Sequence, residues 1–152
     1  MKLLSRASRQ LPGITGIARV SRDTPDAIDR ANPGDVVVID QPDIDRRTAD
    51  ELVAARVRMV VNAAHSITGR YPNLGPEVLV HAGVVLVDGL GDKVFSRIKD
   101  GTRVRLEEGT LYAGEEIVGT GTVQTAESIA DQMIDAKTGM AAQLEAFAAN
   151  AI

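Results

Sequence analysis

Three short apolar runs constrain what this chain can fold into. They lie at 36–39, 57–61 and 84–87; valine dominates all of them, and Arg58 is the one charged residue among them. Nearly continuous apolar runs of this length are typical of strands buried on both faces of a sheet. Segments with helical patterning separate the runs, so that strand and helix alternate along the chain. The sequence therefore predicts an α/β fold with a mostly parallel central sheet.

The helices of this core are predicted from capping residues and apolar spacing. Asp45 is placed to cap a helix with one apolar stripe, formed by Ala49, Leu52, Val53 and Ala54. A shorter helix is predicted to begin at Pro25, with Asp23 or Thr24 as its cap, and to stop at 32–34. Further helices are predicted at 75–81 and 92–98, and a first strand at 13–20.

The pattern changes after Gly101. Short strands are predicted at 103–106, 110–112 and 116–119, separated by the turn signals Glu108-Gly109 and Gly114-Glu115. This arrangement predicts a β-meander attached to the α/β core.

A long helix is predicted over 124–152, which contains no proline and a single glycine. Its apolar positions follow the four-three spacing of a coiled-coil seam: Ala126, Ala130, Met133, Met140, Leu144, Phe147 and Ala151. One interpretation is a homodimer formed through this helix, and the alternative is an amphipathic helix packed on its own domain. The predicted organisation is a flexible arm at 1–12, an α/β domain at 13–122, and a helix at 123–152 that acts as a linker or dimerisation element.

Composition excludes several classes of function. The 152 residues include no cysteine, which excludes disulfides, thiolate zinc sites and cysteine nucleophiles, and fits a reducing compartment. The net charge of -4 argues against nucleic acid as a partner, because there is no basic excess to displace phosphate counterions. No stretch approaches the length of an apolar membrane span. The expected location is the cytoplasm.

The most distinctive segment is the glycine-flanked loop at 66–75, which follows a predicted central strand. Ligands of open α/β sheets bind at the carboxyl ends of such strands. Glycines permit close backbone approach, hydroxyl groups donate hydrogen bonds, and an arginine fork suits phosphate or carboxylate. The predicted ligand is phosphate or a nucleotide, with no resident cofactor, and the candidate binding residues are His65, Ser66, Thr68, Gly69, Arg70, Tyr71, Asn73 and Gly75.

A purely structural interpretation of the same loop stays open. In it, Asn73 caps the following helix, Pro72 shapes the turn, and Arg70 pairs with a neighbouring acid. His65 and His81 are the only histidines, and neither has companions at metal-ligand spacing, so no metal site is predicted. No nucleophile and base converge in the sequence, and no catalytic residue is predicted.

Acidic residues follow the second strand at Asp40, Asp43 and Asp45. Spaced carboxylates of this kind can hold Mg²⁺ beside a phosphate. The alternative is that Asp40 opens a turn while Asp45 caps a helix.

Three stretches resemble one family, the SteA-like proteins: GITGIARV at 13–20, GRYPNLGPEVLV at 69–80 and QLEAFAAN at 143–150. Members are actinobacterial proteins of cell separation and cytokinesis, with a following domain similar to thiamin pyrophosphokinase and a hydrophobic region nearer the C-terminus. The resemblance implies that this chain is the amino-terminal, non-catalytic part, acting by ligand sensing or by interaction with division proteins. In the full-length protein it would lie at the inner face of the membrane.

The same resemblance allows an enzymatic alternative. The loop would contribute phosphate-binding residues to a nucleotide or diphosphate transferase site that the following domain completes, with Arg70 stabilising phosphoryl charge.

A weaker resemblance, carried by 33–39, 82–87 and 100–106, is to the swivelling phosphohistidine domains of phosphoenolpyruvate-utilising enzymes. It implies a swivelling-type β/β/α domain. The family's histidine position falls at Leu74 or its neighbours here, which argues against phosphocarrier chemistry. A phosphocarrier role through His65 is the third and weakest alternative.

Overall fold

The computed structural model describes residues 13–70 and 72–150. Within these ranges the chain forms eight strands and five helices. The strands are β1 Ile14–Val20, β2 Val36–Ile39, β3 Met59–Asn62, β4 Val85–Asp88, β5 Arg103–Glu107, β6 Thr110–Ala113, β7 Glu116–Thr120 and β8 Thr122–Val123. The helices are α1 Thr24–Arg30, α2 Arg46–Ala54, α3 Gly75–His81, α4 Val94–Arg97 and α5 Ala126–Asn150. The arm predicted at 1–12 lies outside the described residues.

All eight strands join one mixed sheet in the order β7-β6-β5-β1-β2-β3-β4-β8. Neighbouring strands from β1 to β4 run parallel, as the buried apolar runs predicted. The meander β5-β6-β7 continues the sheet through an antiparallel pairing of β5 with β1. The predicted α/β fold, with its parallel core, meander and long final helix, is confirmed.

Each face of the sheet has its own apolar core, because successive side chains of a strand point to opposite faces. In β2, Val36 and Val38 belong to one core, while Val37 and Ile39 belong to the other. The first core also takes residues of α4 and the meander, and the second takes residues of α1, α2 and α3. All four side chains of β2 are fully buried, which explains the continuous valine run.

The two capping predictions for the core helices have different outcomes. The carboxylate of Asp45 accepts a hydrogen bond from the Thr48 amide at 2.7 Å, so that its predicted N-cap role is confirmed. The Thr48 hydroxyl and amide lower the pKa of Asp45, which is the expected effect of donors on a carboxylate. Asp23 occupies the N-cap position of α1, but its side chain makes no capping hydrogen bond.

Helix α5 packs on its own domain through its first half only. Ile129, Met133 and Ala136 are buried, and the first two contact Ile67 and Val80. All side chains from 137 to 148 are exposed. We call residues 126–136 the proximal half and residues 137–148 the distal half. The predicted boundary between 122 and 123 falls inside β8, directly before this helix.

The packing of α5 corrects the predicted seam. Ala126 and Ala130 were expected on the apolar face but are exposed, whereas Ile129 and Ala136 are buried there. The reason is that burial of the larger side chain, Ile129, is more favourable than burial of alanine. Ala130 is the next residue in sequence and therefore lies on a different face of the helix. In the described part of the chain, no helix is both long and apolar enough to cross a membrane.

Candidate functional site

The candidate site lies where the carboxyl ends of β2, β3 and β4 meet. Because these strands are parallel neighbours, the segments that follow them lie side by side. They bring together Asp43 after β2, the 66–75 loop after β3, and Asp88 at the end of β4. The predicted position of the loop, at this edge of a central strand, agrees with the sheet order.

The 66–75 loop closes over the carboxylate of Asp43. One oxygen accepts from the Thr68 amide at 2.9 Å and from Asn73 Nδ2 at 3.1 Å, and the other accepts from the Thr68 hydroxyl at 2.7 Å. Asp43 has a φ of 56°, a left-handed conformation that aspartate tolerates better than most residues. Its own amide donates to the carbonyl of His65 at 3.1 Å. Three hydrogen-bond donors of the loop are therefore already bound to the carboxylate of Asp43.

Asn73 is not the cap of α3, which corrects the structural interpretation of this residue. Leu74 occupies the N-cap position, and no side chain caps the helix. The Asn73 amide group donates instead to Asp43 and, at 3.2 Å, to the carbonyl of Ser66. Asn73 is only 7% exposed, and its Oδ1 has no hydrogen-bond partner. Asn73 Oδ1 is therefore a buried acceptor without a protein donor, and such atoms usually bind a donor such as a water molecule.

Ser66 turns inward and bonds to the buried carboxylate of Asp88. The Ser66 hydroxyl donates to Asp88 Oδ1 and the Ser66 amide donates to Asp88 Oδ2 at 3.0 Å. Both residues are buried, with Asp88 only 2% exposed. Burial raises the pKa of Asp88, while the two donors of Ser66, the Gln124 amide and the nearby His65 act in the opposite direction.

The same carboxylate also binds the segment that leads into α5. Gln124 Nε2 donates to Asp88 Oδ2 at 3.0 Å. Gln124 Oε1 accepts from the Ser128 hydroxyl at 2.7 Å and from Gln132 Nε2 at 2.9 Å. Asp88 therefore accepts from the loop on one side and from the start of the long helix on the other.

Asn62 completes the inner wall of the site. Its Nδ2 donates to the Ser66 hydroxyl oxygen and to the carbonyl of Gln41, both at 2.9 Å. Its Oδ1 accepts from the Gln41 amide at 3.0 Å and the Ala64 amide at 3.1 Å. All the hydrogen-bonding capacity of this fully buried amide is used, which fixes the exit of β3.

Gly75 allows α3 to approach the backbone before α2. A Cβ added at this position would meet the carbonyl oxygen of Ile44 and would lie 2.6 Å from that of Asp45. Only glycine fits such a contact without a shift of backbone. Gly75 thus permits close approach of the protein's own backbone, and its predicted role in ligand binding stays a prediction.

The outer side of the loop presents the remaining candidates. Thr68, Gly69 and Arg70 are exposed, and Gly69 has a φ of 89° with open space beside it. Within the described residues, the guanidinium of Arg70 has no hydrogen-bond or ion-pair partner. The acid predicted as its alternative partner is thus not found there. Tyr71 lies outside the described residues.

A shallow cleft of about 190 Å³ separates the outer loop from α5. It is lined by Ile67, Thr68, Gly69, Gln132 and Asp135. His65 is exposed, and its imidazole Cε1 lies 3.0 Å from the position that a Cβ on Gly89 would take. Of the eight candidate residues, three are buried and four are exposed, and Tyr71 is outside the described residues. The buried ones are Ser66, Asn73 and Gly75, and the exposed ones are His65, Thr68, Gly69 and Arg70.

The acidic residues after β2 each have a separate partner. Asp40 pairs with Arg22 at 3.4 Å, Asp43 binds the loop, and Asp45 caps α2. Arg22 also pairs with Asp92 at 3.0 Å. Across residues 13–70 and 72–150, no three His, Asp or Glu side chains are grouped so that they could hold a metal ion.

Sequence reasoning does not find the roles of the two residues that organise this site from behind. From the sequence, Asp88 forms a second pair of spaced carboxylates with Asp92, with the same two interpretations as Asp40, Asp43 and Asp45, and Gln124 is only the first residue of the predicted long helix. The available signal was positional, because Asp88 ends the strand next to β3 and parallel strand ends share an edge. Nothing in the local sequence indicates that Gln124 lies beside it.

Comparison with known proteins adds little. No family model matches the chain, and no curated protein matches it. A similar solved structure is that of 3-isopropylmalate dehydratase (leuD) from Methanocaldococcus jannaschii, with 11% sequence identity and a TM-score of 0.49. The alignment covers 87% of this chain and 97% of that one. We draw no conclusion from a likeness at this level, and the SteA-like resemblance stays a prediction.

Proposed function

We propose that this chain is a non-catalytic interaction module of the kind found at the amino terminus of SteA-like proteins. It would serve bacterial cell division and cell separation from the cytoplasm, at the inner face of the membrane in the full-length protein. Its partners would be a second copy of itself and other division proteins. The proposal combines the sequence resemblance with one structural observation, the exposed apolar face of the distal half of α5.

That face continues the one by which the helix packs on its own domain. At 3.6 residues per turn, Met140, Leu144 and Phe147 lie on the same side of α5 as the buried Ile129 and Met133. Their exposed fractions are 37%, 65% and 73%. An apolar stripe that leaves its own domain without a covering layer is a candidate contact for another molecule.

A second copy of the chain is the partner we favour for this stripe. Between 129 and 147 the apolar positions follow nearly the four-three spacing of a two-stranded seam. Identical stripes can pair about a twofold axis, which is the commonest symmetry of homo-oligomers.

Sedimentation of the intact chain tests this proposal. We expect a concentration-dependent dimer for the wild type and a monomer for the double variant Leu144→Glu and Phe147→Glu. The matched control is Ile134→Glu, because Ile134 is 61% exposed but lies on a different face of the same helix. A wild-type chain that stays monomeric at all concentrations, or a double variant that still dimerises, would rule out this partner.

A second function is favoured by the state of Arg70. Its exposed guanidinium lacks a partner among the described residues and stands beside the open backbone of Gly69. Such a fork suits the oxygens of a phosphate. In this alternative, Arg70 contributes to a nucleotide or diphosphate site that a following domain completes.

Thermal unfolding with inorganic pyrophosphate tests the alternative. A ligand that binds only the folded state raises the melting temperature, so the wild type should be stabilised and Arg70→Ala should lose that gain. Arg46→Ala is the control, since Arg46 is an exposed arginine on α2. Equal stabilisation of both variants, or none in the wild type, would count against an anion site at Arg70.

A further inference from the structure

The 66–75 loop and the proximal half of α5 contact each other in two independent ways. The polar link runs from Ser66 through Asp88 to Gln124. The apolar link is made by Ile67, which is buried against Ile129 and Met133. Two adjacent loop residues therefore hold the base of a helix that lies more than fifty residues later in the chain.

The polar link has little freedom to adjust. Asp88 is 2% exposed, so a donor lost from one side cannot be replaced freely by bulk water. Gln124 is 8% exposed, and its side-chain oxygen already accepts from Ser128 and Gln132 on the first turns of α5. A shift of Ser66 would therefore change how well Asp88 holds Gln124, and through it the helix.

We propose that Asp88 couples the 66–75 loop to the seating of α5, so that a change on either side is transmitted to the other. The inference rests on the proposed function, in which the helix carries the partner surface, and on its alternative, in which Arg70 of the loop binds an anion. It adds the physical connection between those two surfaces. The coupling is reciprocal, since one free energy links both sides.

Hydrogen exchange of the intact chain tests the coupling without any ligand or partner. In Gln124→Ala, Asp88 loses one donor, and we expect the amides of Ser66 and Thr68 to exchange about fivefold faster or more, the effect of roughly 1 kcal/mol in local stability. The amides of β2, in the buried sheet, serve as the internal reference. The matched control is Gln143→Ala, because Gln143 is an exposed glutamine on the distal half of the same helix.

A second variant tests the link through Asp88 from the side of the loop. Ser66→Ala removes a donor to Asp88, and faster exchange is expected at residues 129–136 of α5. Ser96→Ala, an exposed serine on α4, is its control. If Gln124→Ala loosens only the helix, and Ser66→Ala only the loop, there is no coupling. Equal acceleration in β2 would indicate global destabilisation and would also overturn the proposal.

Failure of the coupling can be distinguished from failure of the proposed function. A monomeric wild type would remove the dimer, and the exchange measurement would still report whether loop and helix are linked. Conversely, if the wild type dimerises but Gln124→Ala leaves amide exchange in the loop unchanged, the proposed function stands and the coupling does not.

Discussion

The hydroxyl of Thr68 donates to the carboxylate of Asp43 at 2.7 Å, across 25 positions of sequence. The Thr68 amide and the Asn73 amide group add two more donors to the same carboxylate. The loop that was expected to receive an external anion is thus closed on an internal one. An external anion would meet Arg70 and the backbone of Gly69 on the outside, not the inner donors.

Replacement of Asp43 tests how much this closure contributes to stability. Asp43→Asn keeps one acceptor and tolerates the left-handed backbone, and we expect it to lower the free energy of unfolding by about 1 kcal/mol. Asp43→Ala removes the acceptor of all three donors and places alanine in a left-handed conformation, and should cost roughly 2–3 kcal/mol. Urea denaturation measures both. Asp92→Asn, which breaks only an exposed ion pair, should change stability by less than about 1 kcal/mol.

The two aspartates at helix N-caps should respond differently to truncation. Asp45→Ala removes a formed capping bond and should destabilise the protein by about 1 kcal/mol. Asp23→Ala removes a side chain that makes no such bond and should have almost no effect. Equal losses measured by chemical denaturation would show that the capping geometry does not determine the difference.

Two glycines should give opposite results when alanine replaces them. Gly75→Ala places a methyl group on the carbonyls of Ile44 and Asp45 and should destabilise by roughly 2 kcal/mol or more. Gly139→Ala meets nothing within 4 Å in an exposed helix and should stabilise by about 0.5–1 kcal/mol. Thermal melts of both variants check the signs. A harmless Gly75→Ala would mean that α3 can retreat from this contact.

Asp88 should make stability depend on pH in an unusual direction for a carboxylate. Its pKa is raised in the folded state, so the folded chain keeps this proton to higher pH than the unfolded chain. The contribution of Asp88 to stability is then fully present below the ordinary value of 3.8 and falls as pH rises through the raised pKa. Asp88→Asn lacks this titration, so its stability relative to wild type should improve as pH rises.

Denaturation from pH 4 to pH 8 measures this trend. The variant also changes the hydrogen bonds with Ser66 and Gln124, so the slope of the difference, not its absolute size, is the test. The exposed Asp135→Asn variant should follow the wild-type profile. A difference between wild type and Asp88→Asn that stays constant with pH would contradict the raised pKa.

The sheet could be predicted because its signals are local. Continuous valine runs such as Val36–Ile39 arise from burial on both faces, and the turn at Glu108-Gly109 marks the hairpin between β5 and β6. The two-residue strand β8 was not predicted, because only its pairing with Val87 and Asp88 makes Thr122–Val123 a strand.

The inner site could be predicted only in part. The sequence indicates that Ser66 and Asn73 belong to a distinctive loop at a strand end, but the direction of each side chain depends on distant partners. Asn73 resembled a helix cap because an asparagine just before a helix usually is one. The carboxylate of Asp43 takes its amide group instead, and that choice appears only when the two segments are brought together in space.

The ends of the sheet also limit how the protein can aggregate. At one edge, the two-residue strand β8 covers β4, and the backbone amide of Gln124 donates to the carbonyl of Leu86 at 2.8 Å. At the other edge, Arg97 donates to the carbonyl of Val118 in β7 at 3.1 Å. The two-residue β8 and the occupied Leu86 carbonyl leave little template for an incoming strand at the first edge. At high concentration, edge-to-edge stacking of this domain should therefore start from the β7 edge, where Ile117 is 58% exposed.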